Sequence, residues 1–161
     1  MNSKKLFIWG FLFVSVIGTL LHFVYEWSGN NSIVRLFAPW NESTWEHMKL
    51  LFFPMLALVL FLFFKLPEQS PIPVALSIGT LVGLALIPIL FYTYTGVLGF
   101  SVMAIDIAIF YISVLGAFLI GWFLKDNREL ANRRGLLLTC LVILAILFFI
   151  FNYYPPGIGL F

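Results

Sequence analysis

Five apolar runs, each long enough to cross a bilayer, leave this chain few ways to fold. They lie near residues 6–27, 45–64, 74–94, 101–124 and 136–153. Hydrocarbon about 30 Å thick is crossed by roughly 20 helical residues at about 1.5 Å each. Inside lipid only helices and closed barrels satisfy every backbone polar group. The runs lack the period-2 alternation of barrel strands. The expected fold is therefore all-α, a polytopic bundle of five transmembrane helices forming a single domain over residues 1–161. Composition agrees: 62% of the residues are hydrophobic and only 10% charged, against about a quarter charged in a soluble domain.

The polar breaks set an expected orientation. With the N-terminus in the cytoplasm, the inner segments carry Lys4, Lys5, Lys65, Lys125, Arg128, Arg133 and Arg134, and the outer ones only Arg35 and Lys49. That asymmetry follows the positive-inside rule. Five spans then put the C-terminus outside. An odd count excludes two equal inverted halves, and no internal sequence repeat is visible. The first run follows Lys4 and Lys5 as a signal peptide would, but no small-x-small cleavage signal follows it, so it reads as a retained helix. The single cysteine, Cys140, excludes an intramolecular disulfide and a CxxC metal site.

Two further segments have a legible character. The first outer loop, residues 28–44, contains Ile33, Val34, Leu36 and Phe37 and is expected to lie along the membrane surface. After the fifth run, Pro155 and Pro156 stop the helix and leave an apolar lip. Within the runs, Ala75, Gly79 and Gly83 recur every four residues, a small-residue face for close helix contact. Gly116 and Gly121 are candidates for the same role in the fourth run, and Pro88 is expected to kink the third.

Chemistry concentrates near the outer face. Ser15, Thr19, His22 and Glu26 fall on one face of the first helix. A histidine facing lipid is costly, so this stripe should face the bundle interior. His22 and Glu26 are one turn apart and within reach of one ion. A second cluster, Pro-Trp-Asn-Glu-Ser-Thr-Trp-Glu-His-Met-Lys over residues 39–49, opens the second helix. Ser43 and Glu46 have the spacing of a capping box, and early carboxylates suit the helix dipole. Those roles account for Glu42 and Glu46 without function, but not for His47. Trp40 and Trp45 have an interfacial-belt alternative.

The two clusters share one membrane depth and are joined by a short loop. Together they bring two histidines and three glutamates into a small volume. That is ligand chemistry for zinc, manganese or iron, and also serves acid–base work. Asp106, the lone acid deep in the fourth run, needs a partner. The candidates are His22, His47, Lys49 or a bound cation, with a hydrogen bond to Tyr92 or Tyr94 as the structural alternative.

Two motifs carry a resemblance: Leu-His-Phe-Val-Tyr-Glu-Trp-Ser-Gly at 21–29 and Asn-Glu-Ser-Thr-Trp-Glu-His-Met-Lys-Leu at 41–50. With Tyr-Tyr-Pro-Pro at 153–156, they resemble an uncharacterised family of small multi-pass membrane proteins from Firmicutes. The resemblance covers essentially the whole chain. It implies a bacterial plasma-membrane protein and no particular activity. The paired His-xxx-His of ceramidase- and progestin-receptor-type membrane hydrolases is missing.

The leading functional reading is a metal-dependent hydrolase acting on a lipid or lipid-linked substrate at the outer leaflet. A divalent metal, zinc, manganese or iron, is expected on His22, Glu26, His47 and Asp106. Glu42 and Glu46 are the candidate catalytic carboxylates. Arg35, Lys49, Trp45 and Tyr92 are the candidate substrate contacts. A small transporter or channel with an ion site at its outer gate is the first alternative. A non-catalytic membrane binding or scaffold protein is the second. Membrane lipids are the expected partners, a homo-oligomer is left open, and nothing in the sequence resembles a nucleic-acid-binding patch.

Overall fold

Each apolar run winds into one helix in the computed structural model, which describes residues 2–161. The helices are α1 (Ser3–Trp27), α2 (Thr44–Lys65), α3 (Ile72–Leu98), α4 (Met103–Leu124) and α5 (Arg134–Phe151), and the described residues contain no strand. All five are long and apolar enough to cross a membrane. The chain is a multi-pass membrane protein. Short 3-10 turns at Val34–Leu36 and Arg128–Arg133 interrupt the α1–α2 and α4–α5 connections.

Successive helices alternate in direction, which sorts the polar residues to two ends. The α1–α2 loop, the α3–α4 turn and the segment after α5 share one end, here the cluster end. Lys65, Lys125, Arg128, Arg133 and Arg134 gather at the opposite, basic end. Helices α1 to α4 close into a ring, α1 against α2, α2 against α3, α3 against α4 and α4 against α1. Helix α5 lies outside that ring against α3 and the aromatic face of α2.

Two kinds of contact hold the helices, and residue size decides which. In lipid the hydrophobic effect gives helices little reason to associate, so close packing must do it. Helices α3 and α4 touch through their backbones. A Cβ added to Gly79 would stand 2.1 Å from the Ala117 carbonyl oxygen, and one added to Gly83 would stand 2.9 Å from that of Ser113. The Ala75–Gly79–Gly83 spacing thus marks a real helix contact. Helix α5 instead meets α2 through rings. Phe148 packs on Phe52 and Phe53, with centroids at 4.9 and 5.9 Å, and Phe149 stacks on Phe53 at 5.9 Å. Such pairs contribute roughly 0.5–1.5 kcal/mol each beyond their buried area. Phe7 and Phe11 meet Phe118 edge-on to join α1 to α4.

Chain reversals at the cluster end follow local rules. Helix α1 ends where Gly29 and Asn30 turn to positive φ, 68° and 61°. This lets the Ser28 and Asn30 amides close on the carbonyls of Val24 and Tyr25. The following loop turns back on the bundle, burying Ala38. Phe37 sets its ring against Phe53 and Phe149. Helix α3 continues through Pro88 to a left-handed Gly99 cap.

Candidate metal centre

One close backbone approach builds the cluster end. A Cβ on Gly18 would stand 2.5 Å from the Leu50 carbonyl oxygen, so only glycine lets α1 lie this near α2. His22 is one turn beyond Gly18, and His47 is one turn before Leu50. The approach therefore sets the two imidazoles together, with ring centroids 5.4 Å apart.

The third member comes from the loop before α2. Glu42 Oε2 lies 3.4 Å from His47 Nε2. One ligating atom each from His22, Glu42 and His47 lies within 4.8 Å of the others. A tetrahedral ion at about 2.0–2.1 Å from each ligand needs those atoms about 3.3 Å apart. The His47–Glu42 pair already meets that spacing. The Glu42 side chain is 88% exposed, so its rotamers are free to complete the closure.

His47 is prepared for ligation. Its Nδ1 lies 3.0 Å from the Ser43 carbonyl oxygen. The carbonyl only accepts, so Nδ1 is the donor there, and Nε2 is the nitrogen that faces Glu42 and is positioned to ligate. This backbone brace is the usual second partner of a metal-bound imidazole. Two histidines and a carboxylate, with one side open, match a catalytic zinc site or a facial iron site.

Beneath this open cluster sits a closed one. Lys49 is fully buried and Glu46 is 2% exposed. The Lys49 ammonium donates to Glu46 Oε2 at 2.7 Å, Asn152 Oδ1 at 3.0 Å and the Arg35 carbonyl at 3.1 Å. Those three bonds use all its donors. Arg35 Nη2 donates to the Asn152 carbonyl at 2.7 Å, and its guanidinium lies 3.9 Å over the Trp40 ring. The network thus ties the α1–α2 loop, the start of α2 and the end of α5 together.

This network also redirects the helix cap. Ser43 Oγ accepts from the Glu46 amide at 3.3 Å, but the Glu46 carboxylate does not return the bond. It accepts instead from Lys49 and from the Trp40 amide, while the Ser43 amide goes to Asn41 Oδ1. Half of the expected capping box forms, because the Glu46 carboxylate is turned to the Lys49 ammonium and the Trp40 amide.

The other residues singled out in the sequence have distinct surroundings. Glu26 is exposed at the end of α1. Asp106 accepts from the Tyr94 hydroxyl, which in turn accepts from the Val102 amide at 3.1 Å. The Asp106 carboxylate therefore braces the α3–α4 turn, apart from the histidines. Trp45 packs between Phe148 and Phe161 with tilted rings, centroids at 4.5 and 5.0 Å. Tyr92 donates to the Gly159 carbonyl at 2.5 Å and lies 3.2 Å from Thr44 Oγ1. The apolar lip after α5 thus folds over the start of α2, where the Trp45 amide donates to the Leu160 carbonyl at 3.0 Å.

Within the α1 stripe, Thr19 meets α4. Thr19 donates to the Ser15 carbonyl at 2.8 Å and shares a 3.0 Å contact with the Tyr111 hydroxyl. Sequence reasoning missed Gly18, Tyr111 and Asn152. Gly18 carried a signal, its spacing of four from His22. Asn152 carried one too, an amide at the end of an apolar run.

The chain belongs to a family of unknown function, DUF6512, whose family model matches residues 1–161. No curated protein and no solved structure matches it.

Proposed function

We propose that this member of the family is a membrane-embedded, metal-dependent hydrolase whose centre is His22, Glu42 and His47. The observation that carries the reading is the convergence of these three side chains, with His47 braced through Nδ1 on the Ser43 carbonyl so that Nε2 faces the cluster. A divalent ion of the zinc class would act as a Lewis acid and ease the loss of a proton from water. Hydrolysis then adds the water oxygen to the acyl carbon or phosphorus of an ester, and the proton passes to the departing alcohol.

Position suggests the substrate. The cluster lies where apolar helices give way to a loop, the depth of lipid headgroups and ester linkages. The basic end carries the excess of Lys and Arg, and by the positive-inside rule that excess supports a cytoplasmic basic end and a cluster at the outer leaflet. A lipid or lipid-linked ester is the fitting class. The buried face of α1 below Ser15 is Val14, Gly10, Phe7 and Leu6. That apolar lining favours a site open on one side over an ion path through one chain.

Vesicles reconstituted with the protein and zinc test this directly. Release of fatty acid or of phosphorylated headgroup should require zinc, stop on chelation, and vanish in His22→Ala. Release no greater than in protein-free vesicles, across acyl and phosphoester lipids, overturns the hydrolase reading.

A further inference from the structure

Of the three ligands, Glu42 has the least natural support. His22 and His47 ride on helices, whereas Glu42 stands in the loop before α2 with an exposed side chain. Its rotamers are free, so the backbone beneath it decides where the carboxylate can reach. A ligand on an unfixed loop must be ordered when an ion binds, and that ordering weakens affinity.

Glu46 fixes this backbone on both sides of Glu42. Its carboxylate Oε2 accepts from the Trp40 amide at 3.4 Å, two residues before Glu42. Its own amide donates to Ser43 Oγ at 3.3 Å, one residue after Glu42. The turn from Trp40 to Ser43 is thus gripped at its two ends, and the Ser43 amide tightens it by donating to Asn41 Oδ1 at 2.9 Å. The Ser43 carbonyl also braces His47, so one turn serves two of the three ligands.

The Glu46 carboxylate is itself held. Buried Lys49 donates to the same Oε2 at 2.7 Å and to the Arg35 carbonyl at 3.1 Å. A buried ion pair adds little stability over apolar partners of similar size, so stability alone does not call for this one. What the pair does supply is a carboxylate with one orientation, aimed at the Trp40 amide.

We propose that Glu46 is the positioning residue of the metal centre: by gripping the Trp40–Ser43 turn it holds Glu42 within reach of His22 and His47. The inference rests on the metal reading and gives Glu46 no contact with the ion.

Paired variants in a Lys49→Met background separate this role from stability, since neither carries a stranded ammonium. Lys49→Met/Glu46→Gln keeps an acceptor for the Trp40 amide, and Lys49→Met/Glu46→Leu does not. Isothermal titration of the detergent-solubilised chain with zinc should find the Leu variant at least tenfold weaker than the Gln variant, the lower end of the loss when a supporting partner is removed. Its zinc absorption spectrum should keep both imidazoles and lose the carboxylate oxygen. With Glu42→Ala added, the two should bind zinc alike, because the group being positioned is gone. Glu46→Asp leaves the charge beside Lys49 but draws it back by one methylene. It should bind zinc several-fold more weakly than the wild type, and it decides the matter if the Leu variant does not fold. Equal affinities in the Gln and Leu variants, a gap that persists with Glu42→Ala, or wild-type affinity in Glu46→Asp overturns the inference and leaves the metal centre standing. A wild type that binds no zinc overturns the metal centre itself, and this inference with it.

Discussion

The Lys49 ammonium lies 2.7 Å from the Glu46 carboxylate, and both groups are shut away from solvent. A buried pair of this kind gains little over an apolar replacement of both partners, but losing one partner strands a charge. Lys49→Met should therefore cost about 3–5 kcal/mol. The double variant Lys49→Met/Glu46→Gln should recover part of that loss. Thermal unfolding in detergent, followed by tryptophan fluorescence, checks both. A Lys49→Met protein that melts with the wild type contradicts this account of the network.

Gly18 acts on the centre without touching an ion. Its added Cβ would meet the Leu50 carbonyl at 2.5 Å, so Gly18→Ala must push α1 from α2 and part His22 from His47. The variant should lose about 1–3 kcal/mol of stability through overpacking. It should also bind zinc at least several-fold more weakly, because ligand geometry sets affinity. Gly96→Ala faces open space and should change neither property. Isothermal titration with zinc, alongside melting, separates the two glycines.

The segment after α5 should be felt at Trp45. Phe161 packs against that ring and the Leu160 carbonyl accepts from the Trp45 amide. Phe161→Ala should cost about 0.5–1.5 kcal/mol for the lost ring contact. Comparing quenching by water-soluble acrylamide with that in a Trp45→Phe background assigns the signal. Trp45 should become more accessible in the Phe161 variant. Unchanged quenching means that the segment does not cover α2.

Much of the architecture is legible in the sequence because lipid imposes a coarse requirement. A helix in lipid needs length and apolarity, and all five runs have both. The meeting of α3 and α4 is legible as well, since Gly79 and Gly83 repeat at helical spacing. The polar end is harder. Helical spacing places Glu26 on the same face as His22, yet α1 carries it past the bundle edge into exposure. Periodicity says which face a residue occupies, not where its neighbours end. Asp106 plainly needs a partner, but only three dimensions choose the Tyr94 hydroxyl over a histidine. Lys49 looks like an interfacial cation until Asn152, 103 positions away, is seen to accept from it. No local pattern links those two residues.

The central claim is that His22, Glu42 and His47 hold a metal ion. Zinc K-edge X-ray absorption on the purified, zinc-loaded chain tests it most directly. The expected result is one ion per chain with two imidazole nitrogens and one carboxylate oxygen at about 2.0–2.2 Å. In His47→Ala the bound zinc should fall at least tenfold, the lower end of the loss seen when even a supporting partner is removed. Substoichiometric zinc in the wild type, or a spectrum unchanged by His22→Ala and His47→Ala, would contradict the claim.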